Sequence, residues 1–210
     1  MKLLHINAST RGENSESLKM ANTFIAELRN HTQLELDTFN LFDDKLPEFD
    51  GLAVGAKMAL FSGSGFSSAQ TKVWEEMKQT FDRFARADAY IFNTPLWNNG
   101  IPYKLKQFID VVTQPGWAFG FDVEKGYSGL LHGKKALVIH ASGVYHAAIA
   151  AGFGSDFSTP YVDDWLKFIG VQSVAHIHVA PTVVNTDFAK TKANAEIDAR
   201  KVAREWASKA

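Results

Sequence analysis

Short apolar runs alternate with amphipathic helical stripes along almost the whole chain, and this alternation restricts the fold more than any other feature. Leu3-Leu4-His5-Ile6-Asn7-Ala8 reads as a buried strand, after which Leu18, Ala21, Ile25 and Leu28 recur at helical spacing. Ser15 or Ser17 is placed to cap that helix by accepting from the free amides of its first turn. Leu34-Glu35-Leu36-Asp37-Thr38-Phe39 alternates as a second strand. Val73, Met77, Phe81 and Phe84 stripe a helix from about Gln70 to Ala87, and Ala89-Tyr90-Ile91-Phe92 is a third strand stopped by Asn93-Thr94-Pro95. Leu105, Phe108, Ile109 and Val112 mark another helix, and Ala136-Leu137-Val138-Ile139-His140 a fourth strand. Thr159-Pro160 suits a helix start, with threonine as cap and Asp163-Asp164 near the positive end of the dipole; Gly170 ends that helix. A fifth strand runs from Val174 to Ala180, and Ala195, Ala199, Val202 and Trp206 stripe the last helix.

Strands separated by helices predict an α/β fold, a doubly wound five-stranded parallel sheet with helices on both faces. The strand order that suits five such strands is 2-1-3-4-5, whose ligands sit at the carboxyl ends near the switch point between strands 1 and 3. No repeat or linker divides the 210 residues, so residues 1–210 are expected to form a single domain. The stretch from Asn40 to Ser68, rich in Gly, Asp and Ser, is too long for a plain connection and is expected to be a functional excursion or an interface segment.

Composition excludes several classes. There is no cysteine, which removes disulfides, thiolate metal sites and Cys nucleophiles. A formal net charge of -1 argues against a nucleic-acid or anionic-membrane partner. No apolar run spans a bilayer and the N-terminus is too short for a signal peptide, so a soluble, cytoplasmic protein is expected. The aromatic fraction of 12% points to a large apolar site or interface.

In the expected strand order three unusual loops meet. Ser9-Thr10-Arg11-Gly12-Glu13-Asn14-Ser15-Glu16-Ser17 leads into a helix N-terminus and, with its hydroxyls, free amides and Arg11, makes an anion site. The alternative is that Ser15 and Ser17 only cap the helix. Pro95-Leu96-Trp97-Asn98-Asn99-Gly100 offers a flat aromatic, two amides and a glycine, which suits a planar heteroaromatic ligand; the alternative is a plain turn with Trp97 in the core. Ala141-Ser142-Gly143-Val144-Tyr145 offers backbone amides to the same ligand. Nucleotide-loop and dinucleotide fingerprints are absent, as is the Gly-x-Ser-x-Gly elbow of hydrolases. His176 and His178 share one strand face, but no carboxylate is spaced with them, so no metal is expected; His140 and His146 flank the loops or merely end a strand and a loop.

These residues, over nearly the whole length, resemble the FMN-dependent NADH azoreductase (FMN-dependent NADH:quinone oxidoreductase) family, a branch of the flavodoxin-like quinone reductases. The carriers are the Ser9 loop with Ser15-Glu16-Ser17, Leu46-Pro47-Glu48-Phe49-Asp50-Gly51, and Pro95-Leu96-Trp97-Asn98-Asn99-Gly100-Ile101-Pro102 with Phe108-Ile109-Asp110. Pro115-Gly116-Trp117-Ala118-Phe119, Gly129-Leu130-Leu131-His132-Gly133 and Pro160-Tyr161 complete the set. The family usually carries an aromatic where this chain has Asn99, and an arginine with paired glycines where it has Ser142, Gly143 and Val144.

The resemblance implies a flavodoxin-like fold holding FMN at a homodimer interface. Ser9, Arg11, Ser15, Glu16 and Ser17 would hold the phosphate end; Pro95, Leu96, Trp97, Asn98 and Asn99 would line the isoalloxazine; Ala141, Ser142, Gly143 and Val144 would approach its other end. Phe119, Tyr145 and Tyr161 would wall the substrate pocket. The implied activity is two-electron, ping-pong transfer from NADH or NADPH through FMN to quinones or aromatic azo compounds, with no catalytic side chain because the cofactor carries the chemistry. A flavodoxin-type electron carrier and an NAD(P)H:FMN reductase are the alternatives.

Overall fold

The computed structural model describes residues 1–208. In chain order its strands are β1 (Lys2–Asn7), β2 (Glu35–Asn40), β3 (Ala89–Pro95), β4 (Phe119–Asp122), β5 (Gly126–Gly129), β6 (Lys135–Ala141) and β7 (Ser173–Val179). Its helices are α1 (Glu16–Arg29), α2 (Gly51–Ser62), α3 (Ser68–Ala85), α4 (Tyr103–Val112), α5 (Ser158–Phe168) and α6 (Phe188–Ala207). Five strands form one parallel sheet in the order β2-β1-β3-β6-β7, and β4 and β5 form a separate antiparallel hairpin. The expected order 2-1-3-4-5 therefore becomes 2-1-3-6-7, because the hairpin adds two strands after the third. Each has only four residues and a glycine among them, too short for a period of two to register.

Alternation along the central strands sends side chains to two cores. Leu4, Ile6, Tyr90, Phe92, Ala136 and Val138 meet Met77, Phe81 and Phe84 of α3, Phe108 of α4 and Trp165 of α5. Leu3, Ala89, Ile91, Leu137 and Ile139 meet Met20, Phe24 and Leu28 of α1 and Ala195, Ala199, Ala203 and Trp206 of α6. On the first face Phe84 stacks on Tyr90 at 4.2 Å between ring centres. The edge strand β2 is tied to α3 by Arg83, whose Nε and Nη2 donate to the two Asp37 carboxylate oxygens at 2.9 and 2.6 Å. Those bonds, ahead of Arg86, hold the Asp37 carboxyl below the usual carboxylate range.

Two local expectations change. The Asn40 to Ser68 excursion contains α2, which Asp50 caps by accepting from Leu52 and Ala53 amides at 2.9 and 3.0 Å, and which Gly63 closes at φ 68°. It hides in the sequence because nearly every position is apolar, so there is no stripe to see. Only Ala53, Ala56 and Ala59 are buried, while Leu52, Val54, Met58, Leu60 and Phe61 are exposed. At α5 the capping group is Asp156, not Thr159: its Oδ1 accepts from the Ser158 and Thr159 amides at 2.8 and 2.9 Å.

Candidate functional site

β1, β3 and β6 are consecutive in the sheet, so the loops that leave their carboxyl ends emerge side by side. In the first loop the Ser9 amide donates to Asn7 Oδ1 at 3.1 Å, and Ser9 Oγ accepts from the Arg11 amide at 3.3 Å. Ser15 caps α1, accepting from Leu18 N–H at 3.2 Å, and Ser17 Oγ lies 3.2 Å from Ser15 Oγ. The main-chain bonds of α1 begin with Lys19 N–H to Ser15 O, so the Glu16 and Ser17 amides face the helix entrance. Arg11 is exposed beside it. Glu16 gives one oxygen to Lys19 Nζ at 2.6 Å; the other is buried and has no partner among the described residues.

Beneath this loop lies a buried polar chain that the sequence reading missed. His5 Nε2–H donates to Asn93 Oδ1 at 2.7 Å, and Asn93 Nδ2 donates to Asn7 Oδ1 at 2.8 Å and reaches Ser17 Oγ at 3.4 Å. Asn7 Nδ2 continues to Asn40 Oδ1 at 2.9 Å. Burial pushes the His5 imidazole below its ordinary value and keeps it neutral. The available signal is an asparagine within one residue of the end of each of the first three predicted strands, Asn7, Asn40 and Asn93.

The second loop is a tight two-residue turn. Trp97 and Gly100 exchange main-chain bonds at 2.9 Å, and Asn98 and Asn99 sit at φ 49° and 68°. Asparagine tolerates that left-handed backbone better than the aromatic the resemblance leads one to expect at 99. The Asn99 carbonyl accepts from Phe157 N–H at 2.8 Å, pinning the approach to α5. Leu96 N–H donates to Ala141 O at 2.8 Å, which binds the second loop to the third. In the third, the Ser142 and Gly143 carbonyls accept from Thr182 and Val183, Ser142 Oγ donates to Tyr145 O, and Val144 is exposed.

Two hollows result. A cavity of about 210 Å3 is lined by Leu96, His140, Ser142, Tyr145, His146 and His178, among others. An open groove of about 650 Å3 holds Phe49, Trp97, Asn98, Ile101 and Tyr103. Trp97 packs toward Phe42 at 5.7 Å, so it belongs to the groove and not to the cavity with Leu96. Of the three expected substrate-pocket residues only Tyr145 lines either hollow. Phe119 is buried between Tyr127 and Phe168 at 5.7 and 5.0 Å, and Tyr161 packs on the core with its phenol pushed up by burial.

The histidines depart from expectation too. His140 and His178 are register partners on β6 and β7, and His176 lies two residues before His178 on the same face. The carboxylate missing from the local spacing comes from α5: His176 Nε2 lies 2.8 Å from Asp163 Oδ1. Burial, and then the two neighbouring imidazoles, push His140 down to about 3, so it is neutral at ordinary pH.

A sequence model of a family described as flavodoxin-like fold matches residues 1–202. The chain is 40% identical over 187 residues to an FMN-dependent NADH:quinone oxidoreductase of Ruegeria pomeroyi, covering 89% of this chain and 92% of that one. It is 38% identical over 208 residues to the protein of that name from Desulfotalea psychrophila, covering 97% of both. Among solved structures, an FMN-dependent NADH-azoreductase from Bacillus anthracis in complex with FMN superimposes with a TM-score of 0.87 at 26% identity, covering 99% of this chain and 100% of that one.

Proposed function

Because this chain belongs to the family of FMN-dependent NADH:quinone oxidoreductases, flavodoxin-like in fold, we propose that it moves two electrons from NADH through bound FMN to quinones or aromatic azo compounds. The observation that carries the reading is the convergence of the three loops at the carboxyl ends of β1, β3 and β6, the second and third joined by the Leu96 to Ala141 bond. The reading treats residues 1–210 as one FMN-binding domain.

The residues present fit FMN. When bound, it supplies acceptance of a hydride from NADH and its onward transfer as two electrons. The Glu16 and Ser17 amides, with Ser9, Ser17 and the positive charge of Arg11, would hold the phosphate at the entrance of α1. The Glu16 side chain plays a different part from its own amide and the other loop residues. A carboxylate repels phosphate, but its unpartnered buried oxygen suits a hydroxyl donor such as a ribityl group. Pro95, Leu96, Trp97, Asn98 and Asn99 would border the ring, the Asn98-Asn99 turn setting the height of that wall. The third loop spends its Ser142 and Gly143 carbonyls on Thr182 and Val183, which leaves the Gly143 and Val144 amides to meet the electron-rich edge of the ring. Tyr145 closes the cavity beside them.

Anaerobic titration of the FMN-reconstituted protein with NADH tests the reading. Bleaching of the flavin absorbance in one two-electron step, reversed by a quinone, is the expected result. No reaction with NADH, with one-electron stages under chemical reduction, would make it an electron carrier; loss of FMN on reduction would make it an NAD(P)H:FMN reductase. The homodimer belongs to the same proposal, supported by the exposed apolar side chains of α2. Phe61→Glu is expected to convert a dimer into a monomer in light scattering, and an unchanged mass would remove α2 from the interface.

A further inference from the structure

We propose that His140, His176 and His178 form a binding site for one divalent transition-metal ion of the zinc type, at the carboxyl ends of β6 and β7. The sheet builds the triad. His140 and His178 are neighbours across the strand pair, and the period of two puts His176 on the same face. One ring nitrogen from each lies within 4.8 Å of the other two. His140 Nε2 and His176 Nδ1 are 3.2 Å apart. Two nitrogens bound tetrahedrally to zinc at 2.0–2.1 Å stand about 3.4 Å apart, so this pair already has the span of one edge of such a site. The exposed His178 has room to swing the remaining distance.

The outer nitrogens make the cluster more than three adjacent rings. His176 Nε2 is held by Asp163 Oδ1 at 2.8 Å, and His140 Nδ1 lies 3.4 Å from Ser158 Oγ, both partners coming from α5. A carboxylate behind a histidine fixes its tautomer and aims the opposite nitrogen, the usual support of a metal-binding imidazole. Without metal, His176 Nε2–H donates to Asp163 Oδ1, so its Nδ1 accepts and the proton between the two rings sits on His140 Nε2. A cation takes the place of that proton, which moves to His140 Nδ1 and stays there, the Nδ1–H donating a hydrogen bond to Ser158 Oγ. Each ligand binds through an unprotonated ring nitrogen. Three nitrogen ligands and no thiolate favour zinc, copper or nickel over magnesium or calcium. His140 and His178 also line the cavity that holds Tyr145 and His146.

The test is calorimetric titration of the tag-free full chain with Zn2+, with and without FMN, followed by X-ray absorption at the zinc edge. One Zn2+ per chain with three imidazole nitrogens at about 2.0 Å is expected. His178→Gln, at an exposed position that the fold does not need, should remove at least 100-fold in affinity, and Asp163→Asn about 10- to 100-fold through His176 alone. His176→Ala should abolish the site, with circular dichroism checking its fold. Absence of saturable binding, an oxygen-dominated shell, or affinity unchanged in both His178→Gln and Asp163→Asn would overturn the proposal. None of these readouts needs flavin, so they stand or fall apart from the oxidoreductase reading.

Discussion

Asn93→Ala is expected to lower stability by about 2–4 kcal/mol and to weaken FMN binding by at least about tenfold. Asn93 is fully buried in the carboxyl half of β3, and its two amide atoms serve both neighbours in the chain below the first loop. Alanine leaves the His5 Nε2–H without an acceptor, an orphaned group costing about 1–3 kcal/mol, and leaves Asn7 Oδ1 with the Ser9 amide but without the Asn93 bond, a loss of about 0.5–1.5 kcal/mol more. At about 2–4 °C per kcal/mol for a domain of this size, the thermal midpoint should fall by roughly 10 °C. The effect on flavin runs through geometry: Asn7 Oδ1 holds the Ser9 amide, and Asn93 Nδ2 reaches Ser17 Oγ, so both sides of the anion site lose their floor together. Calorimetric unfolding and quenching of flavin fluorescence measure the two parts separately. Full stability loss with unchanged FMN affinity would show that the asparagine chain supports the sheet but not the site. The double variant His5→Leu with Asn93→Leu should recover part of the stability, because removing both partners of a buried bond costs less than removing one.

How far the molecule could be read in advance depended on whether its causes are local. The core strands and four striped helices were legible because burial on one face imposes a period that neighbouring residues display. Leu105, Phe108, Ile109 and Val112 needed no knowledge of what they touch, and all four are buried. The three loops were legible as a group because strand order alone places them together. α2 was not, since a helix apolar on nearly every side carries no stripe, and the β4–β5 hairpin was too short to show one. The cap at α5 was assigned to Thr159 by type, whereas Asp156, two residues before the helix, competes better for its first amides. The least legible features were those made by distant residues. Asp163 stands 13 positions before His176, and nothing in either segment announces the contact. Likewise the place of the Trp97 loop is legible from the sequence, but the direction of its ring depends on Phe42, near the start of the excursion, 5.7 Å away. Both have one cause: topology fixes where a segment lies, and packing fixes which way its side chains point.

Gly129→Ala is expected to cost about 3 kcal/mol or more, lowering the thermal midpoint by about 6–12 °C, although it adds one methyl group at a partly exposed position. That methyl would stand 2.2 Å from Gly170 N, 2.4 Å from Ile169 C and 2.5 Å from Gly170 Cα. All three are main-chain atoms just past the end of α5, so no side-chain rotation relieves the clash. Gly170 cannot yield easily, because its φ of 102° belongs to a turn that is itself packed 3.1 Å from Leu131 N through the position of a missing Cβ. The hairpin must therefore move away from α5. Moving it strains the Leu131 N–H to Ile169 O bond, 2.8 Å long, and separates Phe119 from Phe168. Gly65→Ala is the matched control, since its Cβ meets nothing within 4 Å and its backbone is not left-handed. It should be neutral or stabilising by about 0.4–1 kcal/mol, as the unfolded chain loses freedom. Chemical denaturation of both variants decides the matter. A loss below about 1 kcal/mol for Gly129→Ala would mean that the hairpin slides on α5 without resistance. A large loss would mean that the two glycines set the seating of β4 and β5, and with it the position of Phe119.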